Sequence, residues 1–233
     1  MAPTSTFDYA HWLEALDDES LNEIADATES VLMIQEALAN DNISLLGELL
    51  RDEASGPITV WQHYPTDDCV DPRSGAMFYY HAHDPDDWHR DEHGHFHLFV
   101  RPFADADFSH VLAVAMTSQG IPNGLFATNG WVTDETMRPA DVVLHMLEER
   151  WEIARARPSW LVVQWLAAVL KLLRPHTGEL LLQRDQRLGW REGSSPNIEI
   201  LEDRKTHVLS EMALDFPATL QAVRREVERR MNT

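Results

Sequence analysis

Cysteine is nearly absent. Cys69 stands alone, so no disulfide can close within the chain. Its neighbours Asp67, Asp68 and Asp71 disfavour a thiolate, which argues against a nucleophilic role. Basic residues are scarce, with 19 Lys and Arg against 39 Asp and Glu. The formal charge of -20 repels phosphate backbones, and without a local basic patch it excludes nucleic acid as an expected partner. Long apolar runs are also missing. The longest, Trp160–Leu173, is broken by Gln164 and Lys171 and falls short of the roughly 20 residues that cross a bilayer. It reads as a buried core helix, and no membrane association is expected. The opening Met-Ala-Pro-Thr-Ser-Thr has neither the basic nor the apolar stretch of an export signal, which together with the lone cysteine predicts a cytoplasmic protein. No Gly-rich phosphate loop, Gly-x-Ser-x-Gly elbow or His-Glu-x-x-His helix occurs.

What is present is the composition of a folded protein. With 44% hydrophobic and 25% charged residues over 233 positions, the chain is long enough to bury a core, and disorder throughout is excluded. Thirteen acids precede residue 57 against one base, Arg51, so the charge asymmetry belongs mainly to the N-terminal end. Residues 8–53 place Leu21, Ile24, Ala25, Val31, Leu32, Ile34 and Leu38 at helical spacing, with Ser20 and Glu23 as a capping box and Ser55, Gly56 and Pro57 as a stop. From Ile58 to Asp134 the pattern changes to short segments rich in aromatic and β-branched residues. These predict strands near 58–64, 76–83, 93–101, 111–118 and 125–133, with Gly120–Gly124 as a hairpin turn. Helices return at 140–156, 159–173, 177–190 and 216–231, and 198–214 can add one or two strands. The reading is one α+β domain: a helical part over 1–56, a β-rich core over 57–135 and a helical part over 136–233, arranged as an antiparallel sheet flanked by helices from both ends.

Histidine is the one residue in conspicuous local excess. Six of 12 histidines, His81, His83, His89, His93, His95 and His97, fall within seventeen residues. In extended strands alternate side chains share a face, so His81 and His83 project together, as do His93, His95 and His97. Phe78, Tyr80, Ala82, Phe96, Leu98 and Val100 form the opposite, apolar face, and Tyr79 and Phe99 flank the histidines. Imidazoles converging from paired strands suit a borderline metal, which needs two or three ring nitrogens within about 2 Å of the ion. The candidate ligands are His81, His83, His93, His95 and His97, with His81, His83, His95 and His97 best placed. Asp84, Asp86, Asp87, Asp91 and Glu92 are at hand to complete the shell or to fix a ligand's far nitrogen. Two adjacent metals also fit the pattern. The competing interpretation is a polar, pH-sensitive surface without metal.

The spacing Gly75, His81-Ala-His83, Asp87, Gly94 resembles the first motif of the cupins, with Asp where that family has Glu. Pro122-Asn123-Gly124 is similar to the turn of their second motif, but Ala127 stands where its histidine would be. This resemblance implies a small metal-holding β-barrel. The run Tyr79-Tyr80-His81-Ala82-His83 with Glu92-His93-Gly94-His95-Phe96-His97 also resembles the central segment of an uncharacterised bacterial protein family, and that likeness implies no activity.

Arg101 continues the histidine-bearing face and is a candidate anchor for a substrate carboxylate or phosphate. Tyr79 and Trp131 are candidate substrate contacts, and Trp61, His63, Tyr64 and Asn129 suit the wall of a pocket. His11, His145, His176 and His207 read as surface or capping residues. Arg224, Arg225, Arg229 and Arg230 alternate with Glu226 and Glu228 as a solvated face that can also dock on the acidic helices of another copy. The leading expectation is a metal-dependent enzyme, an oxygenase or hydrolase acting on a small anionic molecule, with a mononuclear Fe(II), or Zn, Mn, Ni or Cu in its place. The alternatives are a non-catalytic buffer, carrier or sensor for Cu, Ni or Zn, and a metal-free binding or structural protein.

Overall fold

In the computed structural model the described residues are 7–53, 58–83 and 92–232. Six strands, β1 (Tyr64–Val70), β2 (Met77–Ala82), β3 (Gly94–Val100), β4 (Ser109–Met116), β5 (Pro122–Thr128) and β6 (Val208–Ala213), form one antiparallel sheet. Their spatial order is their chain order, so every neighbour is a hairpin partner except β6, which arrives after a helical excursion. The β2–β3 ladder is regular, with Tyr79 opposite His97 and His81 opposite His95. Between β3 and β4 the register slips: Leu98 faces Leu112, but Phe99 faces His110. Val111 and Leu112 therefore both enter the apolar core, and the next residue back, His110, turns to the opposite face of the sheet.

Nine helices lie among the described residues: α1 (Tyr9–Glu14), α2 (Asp18–Asn40), α3 (Leu45–Leu49), α4 (Gly130–Thr133), α5 (Ala140–Arg150), α6 (Trp160–Leu172), α7 (Arg174–Arg187), α8 (Ile198–Glu202) and α9 (Phe216–Met231). The long ones cover one face of the sheet. Phe78, Tyr80, Phe96, Leu98, Val114 and Leu125 meet Val163, Trp165 and Leu166 of α6 and the apolar stripes of α2 and α9 in one continuous core. Trp165 alone touches both Phe96 and Phe216, joining sheet, α6 and α9. Burying apolar surface on this scale, at about 25 cal/mol per Å², is what fixes the apolar face of β2 and β3 inward and leaves their histidines on the other side.

The α+β class and the core role of Trp160–Leu173 are as the sequence reads. Several boundaries differ. The N-cap of α2 is Asp17, three residues before Ser20, because the Asp17 side chain accepts from the Ser20 N–H at 2.7 Å. The stop at Ser55, Gly56 and Pro57 lies outside the described residues. The strand expected over 58–64 is β1 at Tyr64–Val70, since Trp61 has a φ of 66° and breaks the extended run. Asp67 and Asp68 hide that edge strand from a propensity reading. The hairpin turn spans Thr117–Ile121, with Gly120 at φ 77°, while Pro122–Gly124 already belongs to β5. The region 198–214 divides into α8 and β6. The barrel implied by the cupin resemblance does not form: the sheet is a meander that ends on β1 and β6, which are not neighbours.

One arginine of the C-terminal helix contacts the acidic N-terminal part of its own chain. Arg230 reaches Asp18 at 2.7 Å and donates to the carbonyls of Leu13 and Leu16, tying α9 to the start of the chain. No described helix is long and apolar enough to cross a membrane.

Candidate metal centre

The face of the sheet turned away from the helical layer carries the histidines. His81 from β2, His95 and His97 from β3, and His83 just beyond β2 converge there. Room for the rings comes from the neighbouring strand, where Ala115 lies opposite His95 and Ala113 opposite His97. Phe126 of β5 closes the side, its ring edge-on to both imidazoles. A larger residue at either alanine would occupy the space that the imidazoles use.

Nε2 of His95 is the centre of the arrangement. It lies 2.7 Å from Nε2 of His81, 2.9 Å from Nε2 of His97 and 3.5 Å from Nε2 of His83. Its other nitrogen, Nδ1, lies 2.7 Å from the Glu92 carboxylate, which fixes the proton on Nδ1 and leaves Nε2 as a lone pair. One lone pair facing three other Nε2 atoms is poorly served by hydrogen bonds alone, and a cation placed among these nitrogens would give their lone pairs a common partner. Ligand nitrogens about 2.0–2.1 Å from an ion sit roughly 2.8–3.4 Å from one another in octahedral or tetrahedral shells; the His95–His97 separation lies in that range, and the His95–His81 and His95–His83 separations fall about 0.1 Å to either side of it. His81, His83 and His95 already have ligand atoms within 4.8 Å of one another.

Burial makes these rings neutral. Desolvation, aided by the charge His83 and His63 would carry, lowers the His81 pKa to about 3. His95 and His97, only 2% and 1% exposed, are pushed well below the usual histidine value by desolvation and by neighbouring imidazoles. Neutral imidazole is the ligating form, so protons do not compete for the lone pairs near pH 7.

Above the histidines stand Trp61 and His63. Trp61 is 58% exposed, sits in the left-handed backbone region and places its indole edge-on 4.3 Å from the His83 ring. Its N–H donates to the Ala82 carbonyl, which ties it to the end of β2. His63 stacks on Tyr79 with ring centroids 3.7 Å apart, and its Nδ1 lies 2.8 Å from Asp68. Tyr79 in turn packs 5.0 Å from His97.

Not every residue singled out in the sequence joins this group. His93 precedes the first residue of β3, and its Nδ1 lies 2.7 Å from the Tyr80 hydroxyl, so it belongs with the apolar face rather than with His95 and His97. Gly94 makes that contact possible, because a Cβ there would lie 2.6 Å from the Tyr80 hydroxyl and 2.3 Å from the His81 carbonyl oxygen. Arg101 lies beyond Phe99 with its guanidinium 4.6 Å over Phe108, facing a cavity shared with Asp105 and Asp107 instead of the imidazoles. Trp131 is on α4, in contact with His207 and Arg204. Asn129 spends its amide on the carbonyls of Ile200 and Thr206. His89, Asp84, Asp86, Asp87 and Asp91 lie outside the described residues.

One member of the cluster escapes the sequence reading. His110 of β4 is 1% exposed, with Nε2 2.9 Å from Nδ1 of His97 and Nδ1 3.3 Å from the Thr128 hydroxyl. Strict alternation with Leu112 and Val114 assigns it to the apolar core, and only the bulge brings it across. Burial lowers its pKa to about 3. Beside it Glu135 accepts the His110 backbone N–H, and its own pKa is raised to about 7 by desolvation.

No match to the chain is found among curated proteins or among solved structures. A family model does match, over residues 25–214, a span that takes in all six strands and the whole histidine cluster and leaves out α1 and α9. The likeness to an uncharacterised family seen around Tyr79–His83 and Glu92–His97 thus extends over most of the sequence, and the chain belongs to the family described as Domain of unknown function (DUF6969).

Proposed function

We propose that the protein holds a single first-row transition metal through the imidazoles of His81, His83, His95 and His97, and that it is a metal-dependent enzyme. The observation that carries this reading is the position of His95 Nε2, within 3.5 Å of three other Nε2 atoms, while its Nδ1 is held by Glu92. An all-imidazole set suits Fe, Zn, Cu and Ni better than Mg or Ca. Iron(II) is the metal we favour, because three or four imidazoles leave positions where oxygen, water or a substrate atom binds. Zinc, manganese, nickel and copper are the alternatives.

Two features favour catalysis over storage. The ligands are buried at one point instead of spread over an exposed surface, which suits a centre of fixed stoichiometry. The Asp68–His63 pair beside it is of the type that moves protons, with a carboxylate orienting an imidazole. A small-molecule substrate would enter past Trp61 and His63.

The test is elemental analysis of untagged protein purified without chelators, with a His95→Ala, His97→Ala double variant alongside. Near one equivalent of a single metal per chain, lost in the variant, is the expected result. Several weakly held ions favour a buffer or carrier. No metal in the wild type, before or after incubation with iron(II) or zinc, returns the cluster to a metal-free structural role.

A further inference from the structure

We infer that His110 is a positioning residue of this centre, fixing His97 in the tautomer whose Nε2 lone pair faces the metal. The inference rests on the metal reading of the cluster and extends it to a residue that does not itself reach the ion. A metal-ligating imidazole needs its far nitrogen protonated and given an acceptor. For His95 that acceptor is Glu92. For His97 it is Nε2 of His110, at 2.9 Å.

The chain of contacts behind His97 admits two proton arrangements. In the first, His97 Nδ1–H donates to His110 Nε2, and His110 Nδ1–H donates to the Thr128 hydroxyl oxygen, 3.3 Å away. His97 Nε2 is then a bare lone pair, as a metal requires. In the second, the Thr128 hydroxyl donates to His110 Nδ1, His110 Nε2–H donates to His97 Nδ1, and His97 Nε2–H points at the lone pair of His95, 2.9 Å away. That arrangement gives His97 a partner when no ion is bound. Binding an ion therefore removes the His97–His95 hydrogen bond and reverses the two behind it without adding a net proton to the chain, and His110, which can donate from either nitrogen, is what allows the reversal.

The site is built to hold His110 for this role. The bulge in β4 turns it onto the histidine face, Glu135 clamps its backbone N–H, and its ring is sealed between His97, Phe99 and Thr128. The contacts of its ring among the described residues are to His97, Phe99 and Thr128, so the support it gives His97 is a neutral imidazole where His95 has a carboxylate.

Zinc, which is diamagnetic, allows the test by nitrogen NMR of histidine-labelled protein together with competition titrations. Wild type should show His97 as the Nε2–H tautomer without zinc and as Nδ1–H with zinc. His110→Leu should keep the fold by circular dichroism and weaken zinc binding about 10- to 100-fold. His110→Gln, whose amide can accept from His97 and donate to Thr128, should recover most of that loss. Should His110→Leu fail to fold, Thr128→Val should weaken zinc binding about fivefold through loss of the outer acceptor. A wild type that binds zinc, loses it on His97→Ala, and keeps its affinity and the His97 tautomer on His110→Leu overturns this inference while leaving the metal centre intact. Two zinc ions per chain, one lost on His110→Leu, overturn it in favour of His110 as a ligand. A wild type that binds no zinc overturns both readings.

Discussion

Glu92 and His95 form a buried pair: the carboxylate lies 2.7 Å from Nδ1, and both side chains are almost wholly withdrawn from solvent. A carboxylate this close sets the tautomer of His95 and raises the basicity of Nε2 on the far side of the ring. Replacing Glu92 tests that coupling. Glu92→Gln keeps an acceptor without the charge and is expected to weaken zinc binding about tenfold, whereas Glu92→Leu removes both and is expected to cost about 100-fold. Competition titration against a chromophoric chelator measures each. Equal affinity in all three proteins would separate Glu92 from the centre.

The alanines of β4 make a steric prediction. Ala115 lies opposite His95, and Ala113 opposite His97. Ala115→Leu forces a larger side chain into the space beside the His95 ring, an overpacking that costs about 1–3 kcal/mol of stability. It should also displace Nε2 and lower metal affinity by more than tenfold. A substitution to Leu at exposed Leu32's neighbour Met33 on α2, far from the sheet's histidine face, serves as the control and should leave affinity unchanged. Urea denaturation and zinc titration read the two effects separately.

Acid should destabilise the metal-free protein. Burial holds His81 and His110 near 3 and His176 near 4, and it holds His97 well down, while the unfolded chain titrates near 6.5. Between those values the unfolded state binds more protons, so stability is full above about pH 6.5 and falls as the pH drops, by about 1.4 kcal/mol per unit for each such histidine. Glu135, raised to about 7, works the other way, since its stabilising effect is present at low pH and fades as the pH rises through that value. The histidines outnumber it, so the denaturation midpoint of the metal-free protein should fall steeply from pH 6.5 to 5. A flat profile over that range would contradict the burial of neutral imidazoles.

Much of the site is legible in the sequence because β2 and β3 are regular. Alternation alone places Phe78, Tyr80, Phe96 and Leu98 on one side and His81, His95 and His97 on the other, and the paired register brings His81 opposite His95. Alternation fails where the backbone departs from it. His110 is invisible because a bulge in β4, opposite Leu98 and Phe99, changes its face. His93 is misassigned because it precedes the strand, and because Gly94 leaves room for the Tyr80 hydroxyl to reach it. Arg101 lies past the end of β3 and packs on Phe108. The edge strand β1 is masked by Asp67 and Asp68, since an edge tolerates charge that a central strand does not.

In the proposed centre the imidazoles of His81, His83, His95 and His97 surround one ion. X-ray absorption at the metal edge of the loaded protein tests it most directly. A first shell with three or four nitrogen scatterers at about 2.0–2.1 Å and the outer-shell pattern of imidazole rings, reduced in amplitude by His95→Ala, is the expected result. A first shell made only of oxygen, or a spectrum unchanged by His95→Ala, would contradict it.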